Sequence, residues 1–202
     1  MRKLLVFVVV VLFFASCDAK TEEGVVINGV RWATSNVDAP GTFASNPEDL
    51  GMLFQWNRQK GWNAIDEEVE GWNSTRPEGT TWYKENDPCP EGWRVPTREE
   101  LTSLNNANSR WTTRNGVNGY LFGVAPRQIF LPAAGQRLTI TVEDTLYIAG
   151  TLNFVDRIGS YWSSTSNSYT HAWGLLFNSM LSTMYAPPKN RASGNSIRCV
   201  AK

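Results

Sequence analysis

Along most of this chain, apolar and polar positions alternate in short bursts, a pattern that predicts strands rather than helices. Val25-Val26-Ile27 and Val30-Arg31-Trp32 flank Asn28-Gly29, which predicts a hairpin closed by a two-residue type I′ turn. From Pro40 to Asp87 the pattern dissolves into Gly, Asn, Pro and Trp, interrupted by one strand-like run, Met52-Leu53-Phe54-Gln55-Trp56. That stretch reads as long, ordered and loop-rich, with room for one short helix within 44–60. Later strands are predicted at 128–131, 138–142, 146–149, 160–164, 172–177, 181–185 and 196–200, separated by Gly, Pro, Asn and Ser clusters. Residues 187–195 read as a loop.

A single helix is well signalled. In Thr97-Arg98-Glu99-Glu100 the Thr97 hydroxyl can accept from the amide three residues on, while the Glu100 side chain reaches back to the cap. Leu101 and Leu104 supply an apolar pair, and Asn105-Asn106 a stop.

The first residues follow other rules. Arg2 and Lys3 precede an apolar run at 4–14, too short to cross a bilayer, which needs about 20 such residues. It reads as a secretory signal, and Phe14-Ala15-Ser16-Cys17 resembles a bacterial lipobox. The expected layout is a lipoprotein signal peptide over 1–16, a lipidated tether over 17–24 and one domain over 25–202. Cys17 would carry the acyl chains that fix the protein to the bilayer, and several chains anchor where one would not. The predicted address is the outer membrane, with cell-surface display as an extension of that reading. Lipidation leaves Cys89 and Cys199, an even remainder that favours a disulfide in an exported protein; the alternative is two free buried thiols.

Composition narrows the function. Lys+Arg and Asp+Glu both number 19, so losing Arg2 and Lys3 gives 17 − 19 = −2, without the basic surplus of a nucleic-acid binder. His171 is the only imidazole, and any Ser-His-Asp or Cys-His site would have to be built around it. It lies in Thr170-His171-Ala172-Trp173-Gly174, where alternation makes it a solvent-facing neighbour of apolar residues. Asp66, Glu67, Glu68 and Glu70 offer hard oxygens, but without the spacing of a calcium loop they read as a solvated acidic patch. No cofactor or metal is expected.

Four landmarks run in order: Asp87-Pro88-Cys89-Pro90-Glu91-Gly92-Trp93-Arg94-Val95-Pro96-Thr97, Leu131-Pro132-Ala133-Ala134-Gly135, Ser160-Tyr161-Trp162-Ser163-Ser164-Thr165 and Ile197-Arg198-Cys199-Val200. Together with Gly29-Val30-Arg31-Trp32 and Leu53-Phe54-Gln55-Trp56 they resemble the Fibrobacter succinogenes major paralogous (FISUMP) domain over nearly all of 25–201. The resemblance implies an α+β, C-type lectin-like domain: an antiparallel sheet, one or two short helices and long ordered loops. It also implies that a Cys89–Cys199 bridge pins the start of the helix to the last strand. The calcium-binding Glu-Pro-Asn or Gln-Pro-Asp triplets of sugar-binding lectins are missing, and no cysteine pair remains for the formylglycine-generating chemistry of another relative of that fold.

The remaining functional signal is aromatic. Trp62, Trp72 and Trp82, with Arg76 as a fork-shaped donor, are the candidate ligand contacts, because indole faces stack on sugars and fill protein hot spots. Most tryptophans of the segment are nevertheless expected to fill the core. The expected function is non-catalytic: a lipid-anchored adhesion module binding a glycan or a protein. The alternative is a structural component of a surface appendage or envelope complex without a small-molecule ligand.

Overall fold

The computed structural model describes residues 23–142, 145–180 and 186–202. The signal peptide, Cys17, most of the tether and the strand predicted at 181–185 lie outside the described residues.

The Asn28-Gly29 turn forms as expected. Asn28 and Gly29 adopt φ of 50° and 81°, and β1 (Val25–Ile27) pairs antiparallel with β2 (Val30–Trp32). The run after residue 50 yields β3 (Leu53–Gln55), paired with the short β4 (Gly61–Trp62). No helix forms between 44 and 60. After a long loop, β5 (Trp93–Arg94) leads into α1 (Arg98–Ser103). The capping box is complete: Glu100 N–H donates to the Thr97 hydroxyl at 3.2 Å, and Thr97 N–H donates to the Glu100 carboxylate at 2.8 Å. Arg94 adds a two-pronged contact to that carboxylate at 2.6 and 2.8 Å.

The rest of the chain is strand. β6 (Ser109–Arg114), β7 (Val117–Val124) and β8 (Arg127–Pro132) form one antiparallel sheet. β9 (Gln136–Val142) and β10 (Thr145–Asn153) form a second hairpin, β11 (Ile158–Ser166) and β12 (His171–Asn178) a third. β13 (Pro188–Asn190), β14 (Gly194–Asn195) and β15 (Val200–Ala201) complete the fold. The expected loop at 187–195 thus contains two short strands. They are legible only as partners: β13 pairs with β12, and β14 sits between β3 and β9.

The α+β, C-type lectin-like expectation is corrected here. The described residues are mostly β, 43% strand against 7% helix, in four sheets with one short α-helix among them. The capped sequence after Pro96 supports less than two turns of α-helix before a 3-10 turn at Leu104–Asn106, too little to make a helical layer.

Two aromatic cores hold the sheets together. In one, Phe177 lies among Trp111, Tyr120, Phe122 and Tyr161, with ring centroids 5.2 to 6.4 Å away. Gly159 makes this possible, since a Cβ there would come within 1.9 Å of the Phe177 ring. The second core gathers Phe54, Trp56, Trp82, Trp93, Val95, Trp162, Ile197 and Cys199. Cys89 and Cys199, 110 residues apart, are joined by a disulfide beside it, with their Cα atoms 6.1 Å apart. The ordered landmarks therefore converge in the interior: they are the packing set of the domain.

Candidate functional site

The structure places the tryptophans of the loop-rich segment mainly inside. Trp82 is buried, packs edge-on to Trp56 at 6.0 Å, and donates its indole N–H to the Asn86 carbonyl at 2.8 Å. Trp62 and Trp72 meet each other at 5.1 Å, with the Lys60 ammonium 3.9 Å from the Trp62 ring centre. Trp72, half-buried, donates its N–H to the Thr139 hydroxyl at 2.9 Å and occupies the space a Cβ on Gly150 would need. The Trp62 N–H is buried without a partner among the described residues. Arg76 is exposed and makes no hydrogen bond or ion pair among them. Two of the three candidate indoles are thus brought together, while Trp82 belongs to a different cluster.

Loops this long need their backbone carbonyls satisfied, and buried arginines do it. Arg137 donates to the carbonyls of Asn63, Asp66, Glu67 and Gly150 at 2.6 to 3.3 Å. The acidic patch is therefore held through its main chain, with the carboxylates left exposed. Arg58 spends its fork on Gln55, Asn73 and Thr75 at 2.8 to 3.3 Å. Arg198 ties Ala33, Thr34 and Asn36 to the Phe130 carbonyl. Burial lowers the pKa of Arg137 and Arg58, and the Asp66 charge raises that of Arg137.

Arg191 performs the same task beneath an exposed surface. Its guanidinium carbon lies 4.1 Å from the Trp56 ring centre, and its nitrogens donate to Pro77 O, Gly79 O, His171 O and Ser166 Oγ at 2.7 to 3.3 Å. Burial lowers its pKa, opposed by the phenols of Tyr169 and Tyr83, which both lie within electrostatic reach. Those two rings are 70% and 41% exposed, and each adjoins backbone that Arg191 holds: a Cβ on Gly79 would meet the Tyr83 ring at 3.1 Å, and the Arg191 amide donates to Thr170 O, next to Tyr169, at 3.1 Å. The Thr81–Thr165 bridge and the Trp82 N–H to Ser164 O bond of 3.1 Å lock the Tyr83 loop to β11. Arg98 extends the surface: its N–H reaches Thr165 Oγ1 at 2.9 Å, and its guanidinium lies 3.6 Å over Trp173. Sequence reasoning missed this surface, because Tyr83, Arg98, Tyr169, Trp173 and Arg191 come from four separated segments and share no spacing.

Other perturbed groups have structural causes. Burial pushes the Tyr161 phenol up to about 12; its hydroxyl donates to the Pro132 carbonyl at 2.8 Å. Burial raises Asp87, against the lowering effect of the Cys89 and Val95 amides it accepts from, and pushes the Lys189 ammonium down to about 8. His171 is half-buried, with Nδ1 2.7 Å from the Thr170 hydroxyl. Among the described residues, no three His, Cys, Asp or Glu side chains cluster to hold a metal.

Comparison with family models, curated proteins and solved structures finds no match for this chain. The FISUMP likeness remains a resemblance of sequence landmarks, and the lectin-like α+β architecture has no counterpart in the observed sheets.

Proposed function

We propose that this chain is an exported, lipid-anchored and non-catalytic binding module of the bacterial envelope, taking a glycan or a protein on the Tyr83–Tyr169 surface. The observation that carries the reading is a pair of exposed tyrosines, Tyr83 and Tyr169, each next to backbone that buried Arg191 holds, with the Arg98–Trp173 cation–π contact on the strand that follows Tyr169. Tyr, Trp and Arg are the residue types that dominate binding hot spots. Fixing them on loops already locked by hydrogen bonds lowers the ordering cost of recognition. Both rings are exposed, which suits a polymer or a protein face better than an enclosed metabolite. The anchor is supported by the cysteine arithmetic: Cys89 and Cys199 are spent on each other, which leaves Cys17 behind its lipobox-like residues for acylation.

The test uses the full acylated chain in detergent on a glycan array and against envelope extracts. Tyr83→Ala and Tyr169→Ala should each weaken retention about tenfold or more, with Trp62→Ala and Trp72→Ala as the comparison pair. Full retention by both tyrosine variants would remove the surface from consideration. Co-purifying envelope proteins without glycan retention would favour the assembly role, and Cys17→Ala should release the protein from membranes.

A further inference from the structure

We infer that the trough beside β1 lies against the lipid bilayer that holds the acylated end of the chain, a docking surface that rests on the lipid-anchor reading. The turn between β7 and β8 is Val124-Ala125-Pro126-Arg127, and all four residues are exposed, Val124 at 61%. Turns of this kind normally carry Gly, Pro, Asn, Asp or Ser, so Pro126 is ordinary here while exposed Val124 is not. Here an apolar tip ends in a single arginine.

Beside it, β1 is the edge strand of its sheet, and Val26 is 44% exposed. Between strand and tip run two adjoining open hollows of about 440 and 290 Å³. Val26 and Arg127 line both, which makes them one trough.

The position of the tether identifies the occupant. Gly24 lines the trough, and Cys17 precedes it by seven residues, so the acylated end lies within about 25 Å of it at ~3.5 Å per residue. On the lipid-anchor reading a bilayer is therefore always within tether reach of this face, whereas a soluble partner would have to compete with it. The chemistry fits the lipid–water interface. Val26, Val124 and Pro126 supply shallow apolar contact, Asn28, Asn106 and Asn108 line the second hollow with polar amides suited to headgroups, and Arg127, in no ion pair among the described residues, can keep its stem in apolar surroundings and its guanidinium on phosphates. An added peptide strand fits less well, since β1 offers an edge of only three residues.

The full acylated chain carries no free thiol once Cys17 is acylated and Cys89 is bonded to Cys199, so a Val124→Cys variant can be labelled there alone. It is reconstituted into phosphatidylethanolamine–phosphatidylglycerol vesicles with a polarity-sensitive dye, beside an Ile65→Cys variant labelled at an 82% exposed site away from the trough. The expected result is blue-shifted emission at position 124, quenching by nitroxide lipids, and about threefold lower iodide access than at position 65. Adding Arg127→Glu should restore iodide access. Equal iodide access at both positions on protein that floats with the vesicles overturns the docking surface and leaves the anchor standing. Protein that does not float with them has lost the anchor, and the docking surface falls with it.

Discussion

Arg191 sits over the Trp56 ring, its guanidinium carbon 4.1 Å from the ring centre, while its nitrogens collect the carbonyls of Pro77, Gly79 and His171. One side chain thus substitutes for a strand, supplying donors to a loop that has no ladder of its own. Arg191→Met leaves the Pro77 and Gly79 carbonyls without this donor, while His171 O keeps the Asn167 and Ser168 amides, and should cost about 3 kcal/mol in urea unfolding. Arg191→Lys should recover only part of this, because an ammonium cannot span the fork or stack on the indole. A midpoint unchanged in both variants would contradict the hub role.

The Cys89–Cys199 bridge closes a loop of 110 residues. Chain entropy then predicts a loss of about 4–5 kcal/mol for the Cys89→Ser, Cys199→Ser double variant. A thiol assay on the unfolded acylated chain should find no reactive sulfur; two would refute the bridge.

Glu100 supplies an acid-sensitive contact. Burial opposes its ionisation, yet the Arg94 guanidinium and the Thr97 amide outweigh that and hold its pKa below the ordinary carboxylate value. A depressed folded pKa means stability present above the unfolded value and lost as pH falls through the folded one. Asp87, whose pKa is raised by burial, contributes the opposite slope. Melting temperatures from neutral pH down to about 3 should therefore fall less steeply in Glu100→Gln than in the parent. Parallel curves would mean the pair contributes nothing.

Gly159→Ala forces a methyl into the Phe177 ring and should cost at least 1–3 kcal/mol, with weakened near-ultraviolet dichroism from the displaced aromatic cluster. Retention of the parent spectrum and stability would show that the ring can yield.

The local signals were legible where chemistry and geometry share a few adjacent residues. Asn28-Gly29 and the Thr97–Glu100 box specify their turn and cap without outside help, and the alternating runs after residue 127 locate most of the later strands. The same turn signal stands at Asn115-Gly116, where φ is 47° and 85°, and joins β6 to β7. It is hard to read in the sequence because β6, with Arg110, Thr112, Thr113 and Arg114 on its two faces, lacks apolar alternation. The α+β class came with the family resemblance, and the one capped helix does not sustain it: a good cap says where a helix starts, while its length depends on packing. The Tyr83–Tyr169 surface was illegible for a further reason. Its residues meet only through Arg191 and the Thr81–Thr165 bridge, and no property of either tyrosine in isolation marks it.

The hairpin at the start of the domain also decides how the molecule carries mechanical load. Tension arriving through residue 23 acts first on β1, whose three rungs on β2 can peel one by one. Beyond Trp32 the pull reaches Ala33, whose amide is bonded to the Cys199 carbonyl at 2.9 Å. Cys199 is covalently stitched to Cys89, so a pull from this end can draw out only the residues before Cys89, and the 110-residue loop closed by the bridge stays shut.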